Sequence, residues 1–301
     1  MRVYRSIGEN MTDTFVGSIE AGGTKFILGV QNVQTGETVA TKRVPTTTPA
    51  ETLAACWDFF KENPVKAIGI GSFGPIDIDP KSATFGYISK TPKAGWSNTE
   101  LKGYFEKELG VPAVLTTDVN ASCYGEYIAR GRDDEKTYLY ITIGTGVGAG
   151  AIQQGHFIGY TNHSEMGHMR IPKRADDKYE GGCPFHHDAC GEGLTAGPTL
   201  KGRTGIPGED LDRSHPVFDL ISYYVAEMLY NIYLTIRPDV MVVGGSVLNE
   251  GDMATVRKYF AEMNNEYVAL PDLDELIVRP IVANNGSATL GCFEMAKDLL
   301  K

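Results

Sequence analysis

One pattern occurs twice in this chain and limits its fold more than any other feature: a β-type run, a glycine- and threonine-rich turn, then a second β-type run. The first copy is Phe15-Val16-Gly17-Ser18-Ile19-Glu20, the turn Ala21-Gly22-Gly23-Thr24-Lys25, and Phe26-Ile27-Leu28-Gly29-Val30. The second is Tyr138 to Ile143, the turn Gly144-Thr145-Gly146, and Val147 to Ile152. Glycines at such turns let the backbone adopt positive φ and approach a ligand closely. Taken singly, each copy is equally well a plain β-hairpin. Taken together, they suggest two related halves that hold phosphate between them. Gly144, Gly146 and Ala149 fit the spacing G-x-G-x-x-G/A, but a dinucleotide-binding turn must open a helix, and a strand-like run follows here. No G-x-x-x-x-G-K-[ST] segment is present.

Between the copies, Pro49 to Asn63 reads as a helix, with Leu53, Cys56, Trp57 and Phe60 at i, i+3, i+4, i+7 spacing. Val65 to Ser72 reads as a buried strand, followed by the Gly74-Pro75 turn, and Leu101 to Leu109 as a helix. The loop Ser89 to Trp96 carries Thr91 and Lys93, polar groups suited to a polyol, although Trp96 serves equally as a core anchor. Val114 to Asn120 ends a strand at Asp118, and a helix begins at Ala121. A carboxylate in that position lies where open α/β sheets bind ligands; Asp118 or Asn120 capping the helix is the competing reading. Further on, Glu192 to Lys201 and Val217 to Arg237 read as helices. Val240 to Val247 reads as a strand with a turn at Gly244-Gly245, which either accommodates a nucleotide or is an ordinary β–α turn. Met253 to Asn265 and Ser287 to Lys301 are the last helices, with a short strand at Ile277 to Ile281.

A Cys/His cluster interrupts the second half. His168, Cys183, Cys190 and one of His186 or His187 offer two thiolates and two imidazoles, the set a tetrahedral Zn²⁺ prefers. Four protein ligands leave no open position, so such a zinc is structural. The alternative is two buried thiols and unrelated surface histidines. Glu165 and Glu192 flank the cluster and are free to face something else.

Composition narrows the function. Against 28 Lys and Arg stand 38 Asp and Glu, a formal charge of −10, which disfavours a general nucleic-acid binder but leaves a nucleotide ligand open. Five cysteines without regular spacing outside the cluster point to reduced thiols and a cytoplasmic setting. No apolar run of roughly 18 to 20 residues suggests a membrane span. The first ten residues show no signal-peptide pattern, and Met11 is an alternative start. With 301 residues, two domains are expected.

These motifs, in this order, resemble the ROK family of sugar kinases, and within it the zinc-containing bacterial fructokinases. Ile19-Glu20-Ala21-Gly22-Gly23-Thr24-Lys25-Phe26 looks like the family's first phosphate motif, with Glu20 where many relatives carry Asp. Thr117-Asp118-Val119-Asn120 looks like its catalytic segment, Ile143 to Gly148 like its second phosphate motif, and Val243-Gly244-Gly245-Ser246 like its adenosine motif. Gly74-Pro75-Ile76-Asp77 and Thr91 to Trp96 are similar to segments of the fructokinase branch, and Glu165-Met166-Gly167-His168 resembles E-x-G-H. Relatives read C-P-x-H-x-x-C where this chain spaces Cys183 and Cys190 one residue further apart. Keeping the Cys-x-x-His reach favours His186 over His187 as the fourth ligand.

The resemblance implies an α/β protein of two actin-like, ribonuclease H-like domains, residues 12–117 and 118–287, with the last helix returning to the first domain. It implies transfer of phosphate from Mg²⁺-ATP to a hexose, D-fructose giving fructose 6-phosphate, with Asp118 as general base. Asn120, Glu165 and Glu192, with Thr91 and Lys93, would hold the sugar. Gly22, Gly23, Thr24 and Lys25, Gly144, Thr145 and Gly146, and Gly244 and Gly245 would hold the nucleotide. A homodimer and a structural zinc on His168, Cys183, His186 and Cys190 are also implied. Loss of that zinc is expected to loosen sugar binding while leaving the nucleotide turns intact. The alternatives are a glucokinase or mannokinase of the same family, or a sugar-responsive transcriptional regulator. A regulator is disfavoured because only about ten residues precede the first strand and no basic surface is apparent.

Overall fold

A computed structural model describes residues 13–301; the alternative start at Met11 and the segment read for a signal peptide lie outside the described residues. The first half runs β1 (Phe15–Ala21), β2 (Lys25–Asn32), β3 (Thr38–Pro45), α1 (Pro49–Glu62) and β4 (Ile68–Ser72). A short ribbon, β5 (Tyr87–Ile88) and β6 (Thr99–Glu100), then leads to α2 (Lys102–Leu109) and β7 (Ala113–Thr117). The second half runs α3 (Asp118–Ala129), β8 (Thr137–Ile143), β9 (Val147–Gln153), β10 (His156–Phe157), α4 (Gly191–Thr195), α5 (Pro198–Thr204) and α6 (Val217–Ile236). It closes with β11 (Val240–Gly244), α7 (Met253–Asn264), α8 (Leu273–Leu276), β12 (Ile277–Val278) and α9 (Ser287–Asp298).

The two large sheets have one topology. Their orders are β3-β2-β1-β4-β7 and β10-β9-β8-β11-β12. In each, a three-stranded antiparallel meander is extended on one side by two parallel strands. The repeated turn therefore joins equivalent strands, β1 to β2 and β8 to β9. Each half has its own apolar cluster. One surrounds Phe26, Phe60, Ile70, Trp96 and Phe105, the other Leu139, Tyr224, Met241 and Phe260. Burying such side chains contributes roughly 1.5–3 kcal/mol each, so each half holds a core of its own.

Local chemistry accounts for the helix boundaries. Thr48 and Glu51 form a capping box at the start of α1, and Pro49 occupies its first turn. The buried face of α1 uses Leu53, Cys56, Phe59 and Phe60. Trp57 instead remains half-exposed and donates its indole N–H to the Glu108 carbonyl, 3.2 Å away. The helix read over Glu192 to Lys201 is two helices, because the chain turns out of α4 at Ala196 and restarts at Pro198.

α3 and α9 cross between the sheets. A Cβ at Gly125 would lie 2.0 Å from the Ser287 carbonyl oxygen, and one at Gly291 would lie 1.9 Å from that of Ala121. Only glycine permits this approach of the two helices. Beside the crossing, the buried Glu126 accepts hydrogen bonds from the Ile281 and Val282 N–H groups and the Ser287 hydroxyl, fixing the chain as it enters α9. α9 also packs against β1 and β4, so the end of the chain sits on the first sheet. No helix among the described residues is long and apolar enough to cross a membrane.

Candidate active site and metal centre

Asp118 is the first residue of α3. Its neighbour Thr117 caps the helix, accepting the Asn120 N–H at 3.1 Å, so neither Asp118 nor Asn120 is the cap and the helix starts three residues before Ala121. Close packing sets where this terminus lies. A Cβ at Gly150 of β9 would stand 2.7 Å from the Val119 carbonyl oxygen, and one at Gly71 of β4 would stand 3.4 Å from the Asp118 Cα. The start of α3 is thus wedged between a strand of each sheet.

Asp118 is half-buried, and its Oδ1 accepts the Val119 N–H at 2.9 Å. Burial pushes its carboxyl up to about 7, outweighing that hydrogen bond, and the charges of Glu20 and Glu165 raise it further. Glu20, at the end of β1, is also raised by burial, against the opposing effects of Thr289 and Lys25. A carboxylate poised near neutral pH, with a second carboxylate within electrostatic reach, is suited to accept a proton. Glu20 is the site residue that sequence reasoning underused. Its signal was available in the Ile19-Glu20-Ala21 segment, where it stands in for an Asp.

The two glycine turns differ in their support. In the first, the Gly22 N–H donates to the Lys25 carbonyl at 3.0 Å, and the Thr46 hydroxyl donates to the Gly22 carbonyl at 2.7 Å. Gly23, Thr24 and Lys25 are exposed. In the second, the Gly144 N–H donates to the Gly146 carbonyl at 2.9 Å, and the Gly197 N–H donates to the Gly144 carbonyl at 2.7 Å. The Val147 N–H donates to Glu192 Oε2 at 3.1 Å. This second turn forms one wall of a cavity of about 490 Å³, whose lining includes Gly144, Thr145, Gly197, Pro198, Lys201, Ser246 and Val247. Gly244 and Gly245 stand behind it. Gly245 has φ +84° and lies so close to the Ile143 backbone that a Cβ would meet its carbonyl oxygen at 2.2 Å. The pair shapes the turn that presents Ser246 and Val247. The Gly197-Pro198 break between α4 and α5 was the sequence signal for the rest of this wall.

The remaining candidates divide. The Thr91 hydroxyl donates to the Gly74 carbonyl at 3.2 Å, and the Lys93 N–H donates to Thr91 Oγ1 at 3.4 Å. Trp96 is fully buried between Phe26 and Phe73, with its indole N–H on the Thr47 carbonyl at 2.8 Å. It is therefore the core anchor of that loop. Glu165 is exposed, yet near enough to Asp118 for its charge to be felt there. Asn120 is 1 % exposed and donates its amide to Thr116 Oγ1 at 3.0 Å, which braces it at the start of α3.

The Cys/His residues come together. One ligand atom from each of His168, Cys183, His186 and Cys190 lies within 4.8 Å of the other three. Cys183 Sγ is 3.7 Å from the Nδ1 atoms of both His168 and His186, and Cys190 Sγ is 3.8 Å from His168 Nδ1. Zinc bonds of about 2.3 Å to sulfur and 2.0–2.1 Å to nitrogen give tetrahedral S···N edges of about 3.6 Å, so these donors fit zinc. His187, in the left-handed region at φ +52°, is outside the group. Burial and the adjacent Cys183 push the Cys190 thiol up to about 11, a cost that a bound cation offsets. On the far side of the His168 ring, Nε2 faces Glu192 Oε1 at 4.0 Å.

The chain as a whole is similar to known proteins. The chain is 48% identical over 288 residues to the fructokinase of Lactococcus lactis subsp. cremoris, covering 95% of this chain and 98% of that one. It is 46% identical over 291 residues to the fructokinase of Streptococcus mutans serotype c, covering 94% and 97%. Its fold matches the ROK family glucokinase from Streptomyces griseus in complex with glucose and AMPPNP, with a TM-score of 0.70 and 20% identity over 94% of this chain and 99% of that one. The architecture is accordingly the actin-like, two-domain α/β fold of these sugar kinases. The ROK family description matches residues 16–299, and the chain belongs to that family.

Proposed function

We propose that this protein is a fructokinase that transfers the γ-phosphoryl group of ATP to the 6-hydroxyl of D-fructose. The observation that carries the chemistry is Asp118, half-buried at the junction of the two sheets with its carboxyl at about 7. The oxygen of the sugar hydroxyl attacks the γ-phosphorus, its proton passes to Asp118, and the bond to the β–γ bridging oxygen breaks to release ADP. General-base assistance of this kind is worth roughly 10²- to 10⁴-fold. The exposed turn at Gly22, Gly23, Thr24 and Lys25 and the braced turn at Gly144, Thr145 and Gly146 offer backbone and hydroxyl donors to the phosphates. The cavity beyond Gly197, Ser246 and Val247 receives the nucleoside. Mg²⁺ bound with ATP supplies charge neutralisation on the phosphates, with Glu20 the nearby carboxylate on the side of the first turn.

Fructose as the sugar rests on the 48% identity to the Lactococcus lactis fructokinase across 98% of its length. Glu165 and Glu192, with Thr91 and Lys93 on the opposite wall, hold its hydroxyls, and Asn120 keeps the base in place. Zinc on His168, Cys183, His186 and Cys190 would be structural and would fix the two segments that carry the glutamates, the turn after Glu165 and the start of α4 at Glu192. The domain boundary falls at Asp118, and α9 travels with the first domain when the cleft closes to exclude water. A coupled ADP-release assay across D-fructose, D-glucose, D-mannose and N-acetylmannosamine tests this reading. The highest kcat/KM is expected with fructose, and a preference for another of these sugars would overturn the substrate assignment.

A further inference from the structure

We propose that His163 is a positioning residue for sugar binding, which aims the Glu165 carboxylate by donating a hydrogen bond from Nδ1 while its other nitrogen is anchored on the opposite half of the molecule. The proposal rests on the reading of Glu165 as a sugar contact and adds a residue to that contact.

His163 lies on the loop between β10 and His168, yet its side chain is only 9 % exposed. The loop is fastened to the second sheet, since the Ser164 hydroxyl donates to the Ala149 carbonyl of β9 at 2.9 Å. From there the imidazole reaches the first half. Nε2 is 3.3 Å from the Ile76 amide nitrogen and 3.1 Å from the Ile76 carbonyl oxygen. Cε1 comes within 3.8 Å of where a Cβ at Gly74 would stand. The same Gly74 accepts the hydroxyl of Thr91. One ring therefore links the Thr91 loop on one wall to the Glu165 loop on the other.

The environment selects where the ring carries its protons. Nδ1 lies 3.2 Å from Glu165 Oε1, its nearest acceptor, off the line of a hydrogen bond, and is otherwise buried without a partner. When the ring is neutral, Nε2 accepts the Ile76 N–H, and the proton resides on Nδ1. When the ring is charged, Nε2 donates to the Ile76 carbonyl, and Nδ1 is again protonated. A neutral ring with its proton on Nε2 would set the Nδ1 lone pair against a carboxylate 3.2 Å away, which is repulsive. In both favoured states Nδ1 carries a proton, which the Glu165 carboxylate can accept after a small rotation of its exposed side chain. The adjacent Glu165 carboxylate also raises the His163 imidazole above its ordinary value, against the opposing effect of burial. Glu165 has a side chain 56 % exposed, which without this donor would sample several rotamers. Its entropy is thus reduced before sugar arrives, which is how a positioned contact gains affinity.

Three substitutions separate the two ends of the ring. The Nδ2 of Asn falls near the position of Nδ1, so His163→Asn keeps the donor to Glu165 and loses the Ile76 anchor. His163→Gln places its amide near Nε2, keeping Ile76 and losing Glu165. His163→Ala loses both. KM for D-fructose is expected to rise roughly tenfold in the Ala and Gln variants, the loss of about one charge-assisted hydrogen bond. Asn should recover most of that loss. KM for ATP, and kcat at saturating fructose, should move less than threefold throughout. Melting temperatures of the three variants distinguish a folding defect, and the comparison of Asn with Gln, two amides of similar size, stands even if the Ala variant is unstable. A KM unchanged in all three, or recovered by Gln and not by Asn, would overturn the proposal. Glu165→Gln is measured in parallel. If it raises the fructose KM while the His163 variants do not, only the role of His163 is lost; if it leaves the fructose KM unchanged, the reading of Glu165 is lost, and the role of His163 with it.

Discussion

The two glycine turns occupy equivalent places in two sheets of identical topology, yet they are supported by different groups. At the first turn, a Cβ added to Gly23 meets nothing within 4 Å, and Gly23, Thr24 and Lys25 are exposed. At the second, a Cβ on Gly146 would stand 2.9 Å from Glu192 Oε2, the same oxygen that accepts the Val147 N–H. The first turn is held by its own backbone and by Thr46, with its tip exposed; the second is held in addition by a carboxylate from another element. That carboxylate belongs to the helix whose cap is Cys190, a member of the Cys/His cluster. Through Cys190 and Glu192 the Cys/His cluster is joined to the second turn as well as to the proposed sugar contacts. Whether metal loss spares nucleotide binding, as expected from the sequence, is therefore a test of that connection.

The largest effect is expected at the residue that both turns surround. Asp118→Asn should fold and lose about 10²- to 10⁴-fold in kcat, because an amide of nearly the same shape cannot take the proton. Its stability should change in the opposite sense. Asp118 is at about 7 when folded, against an ordinary carboxylate value when unfolded, so the native state holds the extra proton and wild-type stability falls as pH rises across that window. The Tm advantage of Asp118→Asn should grow from about pH 4 to about pH 7 and then level off; a constant advantage would deny the raised value.

Next in size is the brace. Glu192→Ala should raise KM for both ATP and fructose by roughly tenfold, whereas Glu192→Gln, which keeps an acceptor for the Val147 N–H, should raise mainly the fructose value. Equal effects of Gln and Ala on ATP would remove the brace from the account. Smaller again, Gly146→Ala should cost about 1–2 kcal/mol of stability by displacing the Glu192 carboxylate, and Gly23→Ala under about 0.5 kcal/mol, as read from denaturant midpoints. Comparable losses at both positions would erase the difference between the turns. The smallest change is His187→Ala, which should retain the zinc content of the wild type, while His186→Ala should lose most of it. Metal analysis of the purified proteins decides between them.

Much of this architecture was legible in the sequence because periodicity and turn chemistry are local. The strand, glycine turn, strand repeat is written in consecutive residues, and so is the capping box of α1. What was hidden depends on which residues meet across the chain. The packing of Asn120 against Gly150 and its bond to Thr116 are written in no motif. Trp96 was ambiguous until its indole was seen on the Thr47 carbonyl. Glu192 and Val147 are far apart in sequence, and no motif reports that their backbone and side chain are joined. His163 is likewise unremarkable until Ile76 is beside it.

Support of the second turn by the Cys/His cluster through Glu192 can be measured with a double-mutant cycle on nucleotide affinity. ATP dissociation constants would be measured by calorimetry for the wild type, Cys183→Ser, Glu192→Ala and the double variant, each with its zinc content determined. The account predicts that Cys183→Ser loses zinc and weakens ATP binding about tenfold, and that it adds little once Glu192 is already Ala. ATP affinity unchanged by loss of zinc, or a Cys183→Ser effect that persists in full in the Glu192→Ala background, would contradict it.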